Sequence, residues 1–369
     1  MLDSLFKLKE DWVVFYDIFS QNGNGDSIRP LAEEWKKRHP NHKLFFCAKK
    51  KNQPKFIDMA DEVLVKDSIR FKYITSRAKY IFTNMSFPNK GKKREGQIFI
   101  STWHGSPIKK LYLSREKDNK KFKKYANQFS KADLFCTQSE NNTTYMKEAF
   151  NLSDKHFINS GLPRNDILLS SKATQIKEIL RKELKIPDNK KILFYCPTWR
   201  RYDYKMPMPF DLNRLREELS NDWCLLLRTH VGKHDWVDNN GNKLDLSKDN
   251  FAIDVASYPE ISNLYIVADT LICDYSSAIF DFAITNKPQI FYAYDLEHYE
   301  KEFGIYQDYK NFVPGEIPND TESLIQAVKN LDKYYEIFGD KYKQFQAENC
   351  TYDRGDASEK IIDAVINLQ

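Results

Sequence analysis

The sequence predicts an α/β protein built as two Rossmann-like units whose mostly parallel sheets face a central cleft. Short apolar, β-rich runs alternate with amphipathic stretches, the pattern of parallel strands covered by helices. That pattern stops and restarts once, near residues 165 to 187. The length of 369 residues, 41% of them hydrophobic, exceeds what one core ordinarily holds, so two domains with a cleft between them are expected.

The strand candidates of the first half are WVVFY (12 to 16), KLFFCA (43 to 48), EVLVK (62 to 66), YIFT (80 to 83), QIFISTW (97 to 103), DLFCT (133 to 137) and HFINS (156 to 160). A polar helix from about Lys172 to Lys185 and the turn IPDNK then separate the halves, placing the division at 1–170 and 171–369. The second half offers KILFYC (191 to 196), WCLLLRT (223 to 229), FAID (251 to 254), TLICDY (270 to 275) and PQIFYA (288 to 293). After the first strand, SQNGNGDSIRP supplies Gly23 and Gly25, but the third glycine of a dinucleotide fingerprint would fall on Ile28. The fingerprint fails, and a simple loop is expected.

Fifty-seven basic residues against 52 acidic ones give a net charge of +5, too mild for a dedicated nucleic-acid binder but compatible with anionic small ligands or a membrane surface. The six cysteines, at 47, 136, 196, 224, 273 and 350, form no CxxC pair and read as buried reduced thiols. The opening MLDSLFKLKEDW has no continuous apolar stretch, and no run nears the ~20 apolar residues of a spanning helix. A cytoplasmic location is expected.

Four stretches carry chemistry. In FISTWHGSPIKK an apolar strand ends in Trp103, His104 and Gly105, at the edge where α/β sheets bind ligands. His104 reads either as a hydrogen-bonded structural residue or as a base. In LLLRTHVGKHD, Arg228 and His230 stand at i and i+2 on one side of an extended chain, suited to a phosphate or diphosphate unless Arg228 pairs with a core carboxylate. In YCPTWRRYD, Thr198, Trp199 and Arg200 follow the first strand of the second half. In LICDYSSAIFDFAITNKPQIFY a strand ends at Asp274, and Ser276 and Ser277 open an amphipathic helix with Ala278, Ile279, Phe282 and Ala283 inward. Plain N-capping needs one such group; the surplus suggests an anion site.

Together WHGSPIKKL, GLPRNDIL, YCPTWR, LLLRTH, the block from VASYPEISNLYIVADT to IFYAYDLEHY, and FGIYQDY make the chain, from about residue 97 to about 315, resemble the CDP-glycerol glycerophosphotransferase family. The resemblance implies the GT-B fold, with an N-terminal acceptor domain and a C-terminal domain for the CDP-alditol donor. It implies that His104 is the catalytic base and His230 a second functional histidine. Arg200, Ser276 and Ser277 would hold the donor diphosphate together with Arg228 and Asp274, supported by Trp103, Gly105, Thr198 and Asp281. The implied reaction moves glycerol phosphate, or another alditol phosphate, from a CDP-alditol to a hydroxyl of a polyprenyl-diphosphate-linked saccharide, releasing CMP. Ser106 stands where the family often has Thr, Thr229 where it often has Met, and the loop after His230 is unlike other members.

No carboxylate cluster with ligand spacing calls for a metal, and Mg²⁺ on the diphosphate is compatible with the sequence without being implied. The segment KKLYLSREKDNKKFKKYANQFSK, 109 to 131, holds nine Lys and Arg against two acids with aromatics between them. It reads as a solvated face or, beside a base that meets a lipid-linked acceptor, as a contact with the inner membrane leaflet through Lys120, Lys121, Lys123 and Lys124. No nucleic-acid reading motif is present. Two other classes stay open at the level of sequence: a GT-B glycosyltransferase using a nucleotide sugar, and a non-catalytic nucleotide- or membrane-binding module.

Overall fold

All twelve expected apolar runs become strands. In the computed structural model the described residues are 7–17, 25–88, 92–200, 207–229, 236–238, 241–247 and 249–368. The first sheet contains β1 (Lys9–Tyr16), β2 (Lys43–Cys47), β3 (Glu62–Leu64), β4 (Ala78–Thr83), β5 (Ile98–Ser101), β6 (Leu134–Cys136) and β7 (Phe157–Ile158), in the order 3-2-1-4-5-6-7. The second contains β8 (Lys191–Tyr195), β9 (Trp223–Leu227), β10 (Ala252–Asp254), β11 (Thr270–Cys273) and β12 (Gln289–Phe291), in the order 10-9-8-11-12. Neighbouring strands pair parallel throughout both sheets. Each sheet therefore reverses its strand order once, between β1 and β4 and between β8 and β11. Such a switch point opens a crevice at the carboxyl ends of the strands.

Alternation of side chains builds a core on each face. In β1, Val13 and Phe15 join Trp35 and Phe82 on one face, while Val14 and Tyr16 join Phe71, Phe99 and Phe135 on the other. In β8, Ile192 and Phe194 pack under the helix Ile261–Val267, whereas Leu193 and Tyr195 meet Leu215, Trp236 and Ile325. Strands buried on both faces read as continuous hydrophobic runs, which is why the sequence exposes them so clearly.

The chain clusters into two compact units. The first holds residues up to Ser106, Lys110–Asp166 and Thr351 onward; the second holds Pro107–Lys109 and Ile167–Cys350. The division at 170/171 is thus corrected at the C-terminal end, where 351–369 return to the first unit. The cause is burial. Ile361, Ile362 and Val365, on the helix Ala357–Ile366, enter the core beside the helix Ile28–Arg38, and Arg38 Nη1 meets Asp363 Oδ1 at 2.5 Å. Asp353 accepts from Leu162 N–H at 2.9 Å and Asn165 Nδ2 at 3.1 Å. Asp166 accepts from the Ala357 and Ser358 N–H groups at the start of that helix, both at 2.9 Å, and burial raises its pKa against those bonds.

A second departure concerns the helix after Ser277. It spans only Ala278–Ala283 and every residue in it is buried, so it is a core helix rather than an amphipathic one. Phe280 stacks on Phe345 of the helix Tyr334–Asn349 with ring centroids 5.5 Å apart, closing the face expected to meet solvent.

Candidate active-site groups

Beyond β5 the chain makes a strained turn. Trp103 has φ 51° and Gly105 φ 133°, both in the left-handed half of conformational space that a bulky residue such as Trp rarely enters. Such strain, of order 1–3 kcal/mol, persists only where surroundings impose it. Here the indole is gripped edge-on by Phe129 and Phe150, with ring centroids 5.1 and 4.9 Å away. The imidazole of His104 lies on the indole at 3.8 Å between centroids. His104 is half-buried, with Nδ1 3.4 Å from the backbone oxygen of Asn84. Ser106 Oγ donates to Gln138 Oε1 at 2.7 Å, and Gln138 Nε2 donates to Asp353 Oδ2 at 3.1 Å, so the hydroxyl at this variable position anchors the end of the turn.

In the second unit, two expected donor-binding residues turn out to be fasteners. Arg200 is 3% exposed. Its Nε and Nη2 donate to Asp295 at 2.6 and 2.9 Å, Nη1 donates to Thr198 O at 2.6 Å, and Nη2 pairs with Asp274 at 2.8 Å. Tyr275, Tyr294 and Tyr299 surround the guanidinium, the nearest ring 4.9 Å away. Burial opposes its charge, but Asp274 and Asp295 overcome that and hold its pKa above the ordinary guanidinium value. With most donors engaged, Arg200 fixes the turn after β11 instead of presenting a fork to a diphosphate. Asp274 is corrected likewise. Wholly buried, its Oδ1 accepts from Thr198 N–H at 2.8 Å and Tyr275 N–H at 2.6 Å, tying the end of β8 to the end of β11.

Arg228 is different. It is equally buried at 3%, yet its bonds run from Nη1 to the backbone oxygens of Val255 at 3.1 Å and Tyr258 at 2.7 Å, with no ion pair to a carboxylate among the described residues. Burial pulls its pKa down, but from a value so high that the guanidinium stays charged at neutral pH. Among the described residues the core-carboxylate alternative finds no ion-pair partner. In the same unit, the buried Thr198 Oγ1 has no hydrogen-bond partner among the described residues, and the half-buried Ser276 and Ser277 follow β11. Ser276 Oγ accepts from Ala278 N–H at 3.3 Å, an ordinary cap, while Ser277 makes no capping bond. Asp281 is buried within the short helix. His230 lies outside the described residues, as does most of the loop after it.

Lys120, Lys121, Lys123 and Lys124 are all exposed on the helix Lys120–Phe129, whose start is capped by Asn119 Oδ1. Phe122 packs on Tyr112, and Phe129 packs on Phe150 and Trp103, so most aromatics of the segment lie beneath the lysines and only Tyr125 is exposed, at 38%. Among the described residues no group of three or more His, Cys, Asp or Glu side chains is placed to hold a metal, and no helix is long and apolar enough to cross a membrane. All six cysteines are buried thiols without disulfides.

Sequence reasoning passed over Asp17, Asp26, Asn84 and Arg164. Asp17 and Asn84 stand directly after β1 and β4, at the first switch point, and Arg164 lies within GLPRNDIL. Asp295 was also missed, because nothing local marks it as the partner of an arginine ninety-five residues earlier.

Two Rossmann-like units with all-parallel sheets define a GT-B-like fold. A model of the family described as CDP-Glycerol:Poly(glycerophosphate) glycerophosphotransferase matches residues 2–367, and the chain belongs to that family. It is 32% identical, over 98% of its length, to the teichoic acid poly(glycerol phosphate) polymerase of Staphylococcus epidermidis, of which it covers 52%. It is 31% identical, over 98% of its length, to the teichoic acid glycerol-phosphate transferase of Staphylococcus aureus, of which it covers 94%. The chain thus spans about half the length of the two polymerases from S. epidermidis and Bacillus subtilis, 52% and 50%. A solved structure of the wall teichoic acid polymerase TagF soaked with CDPG superposes with a TM-score of 0.85 at 29% identity, covering 99% of this chain and 91% of that one. A UDP-GlcNAc 2-epimerase from Neisseria meningitidis, at 13% identity and a TM-score of 0.59, shares the fold alone.

Proposed function

We propose that this chain transfers glycerol phosphate from CDP-glycerol to a hydroxyl of a lipid-linked acceptor, releasing CMP, in the synthesis of a teichoic-acid-type polymer. The observation that carries the reading is Arg228: a buried cation with no carboxylate in ion-pair contact among the described residues is stable where an anionic ligand supplies the missing charge. Family membership names the ligand class, a CDP-alditol whose diphosphate carries that charge.

The acceptor oxygen attacks the β-phosphorus, His104 takes its proton, and the bond from that phosphorus to the oxygen of CMP breaks, the electron pair leaving with CMP. Negative charge on the transferring phosphoryl group and on CMP is met by Arg228, His230 and the hydroxyls of Ser276 and Ser277. Arg200 and Asp274 hold the turn that carries those hydroxyls. The first unit then serves the acceptor and the second the donor. The acceptor is a polyprenyl-diphosphate saccharide in the inner leaflet, and the chain works at the cytoplasmic face. The exposed lysines of Lys120–Phe129 make the electrostatic contact with anionic lipid, each contributing about 1 kcal/mol.

The decisive assay incubates the protein with CDP-glycerol and a synthetic lipid-linked acceptor and follows CMP and acceptor mass. CMP release with a gain of one or more glycerol phosphates is expected; UMP or UDP release from nucleotide sugars in place of it overturns the reading. His104→Ala should lower turnover by about a hundredfold or more while CDP-glycerol binding, measured by calorimetry, changes little. Replacing Lys120, Lys121, Lys123 and Lys124 together with Gln should weaken sedimentation with anionic liposomes and leave turnover on a soluble short-chain acceptor intact. Equal sedimentation at low salt makes the segment a solvated face.

A further inference from the structure

Asn84 follows β4 directly, and Thr102 N–H donates to Thr83 O at 3.0 Å, so the backbone leaving β4 runs beside the turn that carries His104. The contact from His104 Nδ1 to Asn84 O spans 3.4 Å. A carbonyl oxygen can only accept. A neutral imidazole carries one proton, so a hydrogen bond here requires it on Nδ1 and leaves the lone pair on Nε2.

The carbonyl of Asn84 is itself held in place. Its side-chain amide donates to Asp17 Oδ1 and, at 3.0 Å, to Asp26 Oδ2. Asp26 in turn accepts from Arg164 Nη1 at 2.9 Å, and the two side chains of that ion pair are 9% and 6% exposed. Asp26 adopts φ 41°, a left-handed conformation for a residue with a side chain, consistent with a position over-determined by its neighbours. Arg164 comes from the segment after β7 that Asp353 fastens through Leu162 and Asn165. Elements distant in sequence thus converge on one amide, at the switch point of the first sheet.

From this geometry we infer that Asn84 is a positioning residue for the reaction: Asp17, Asp26 and Arg164 clamp its side chain, the clamp fixes its carbonyl, and the carbonyl sets the His104 tautomer in which Nε2 is the basic nitrogen. The inference rests on the reading of His104 as the base. Such a device acts on rate rather than on donor affinity, because it orients the group that receives the proton and touches no part of CDP-glycerol.

The test is ¹⁵N NMR of the histidine rings in the full chain, with the His104 signals assigned by their loss in His104→Gln, alongside steady-state kinetics. The wild type should show the Nδ1–H tautomer at His104. Asn84→Ala should shift those signals toward a mixture of tautomers and lower kcat about tenfold, the scale expected for a misoriented reacting group, with KM for CDP-glycerol within about twofold. Asp26→Asn, which leaves Asn84 itself in place, should move both readouts in the same direction and serves if Asn84→Ala does not fold. An Nε2–H tautomer in the wild type overturns the inference, as does an unchanged tautomer in the folded variants. Wild-type turnover in His104→Ala instead removes the base reading, whatever the tautomer.

Discussion

Both sheets are bridged across their switch points, and the bridges are made differently. In the first unit the bridge runs between side chains, from Asn84 after β4 to Asp17 after β1, and is extended through Asp26 to Arg164. In the second it runs from a backbone N–H, Thr198 after β8, to the carboxylate of Asp274 after β11, and is extended to Arg200 and Asp295. The proposed functional group then arrives on a neighbouring strand: His104 after β5, Arg228 after β9. Each unit also holds a buried arginine whose charge is neutralised from within, Arg164 by Asp26 and Arg200 by two aspartates. Arg228 has no such ion-pair partner among the described residues. Burial alone therefore does not reveal what an arginine does. A cation matched by a carboxylate belongs to the scaffold, and one left unmatched among the described residues is the candidate to meet an anionic ligand.

Breaking the matched side should give the largest effect. Arg200→Ala strands Asp274 and Asp295 and should cost about 3–5 kcal/mol of stability, the usual result of removing one partner from a buried pair; urea unfolding measures it, and an unchanged midpoint would mean the ion pairs are not formed in solution. Arg228→Met tests the other side. Stability should fall by about 1–3 kcal/mol, because the Val255 and Tyr258 carbonyls lose their buried donor, while affinity for CDP-glycerol falls about tenfold or more, since bonds to a charged group contribute about 1.5–3 kcal/mol. Unchanged affinity in calorimetry, with the protein folded, moves the diphosphate away from Arg228. The smallest effect belongs to the hydroxyls. Ser277→Ala should weaken CDP-glycerol binding a few-fold without lowering the melting temperature, because Ser277 makes no capping bond. Ser276→Ala should lower both slightly, because Ser276 does cap. Reversal of that pattern exchanges the roles of the two serines.

The strands were legible because parallel strands buried on both faces must be apolar along their whole length, and such runs need no partner to be recognised. His104 was legible for a related reason: a polar residue at the end of such a run stands at the edge where crevices open. Arg200 and Arg228 could not be told apart in sequence. Both follow buried strands, and the difference lies in Asp274 and Asp295, which only the fold brings to one of them. The Asp17, Asp26, Asn84 and Arg164 group left a fainter trace, a polar residue directly after each of β1 and β4, whose meaning depends on those strands being neighbours. The short helix Ala278–Ala283 misled through its pattern. Its polar position, Asp281, is buried like the rest, and Phe280 beside it is covered by Phe345 of Tyr334–Asn349.

The return of the last helix to the first unit has a consequence for how the chain is made. The ribosome releases β1 through β7 first, but the face of Ile28–Arg38 that receives Ile361, Ile362 and Val365 stays uncovered until the helix Ala357–Ile366 emerges. Each of those three side chains is fully buried, a contribution of roughly 1.5–3 kcal/mol apiece. The second unit, delimited by Ile167 and Cys350 apart from its short Pro107–Lys109 piece, can close on its own core during that interval. The later unit in sequence is then the earlier one to close, and the first unit keeps an apolar groove open until the Ala357–Ile366 helix has been made.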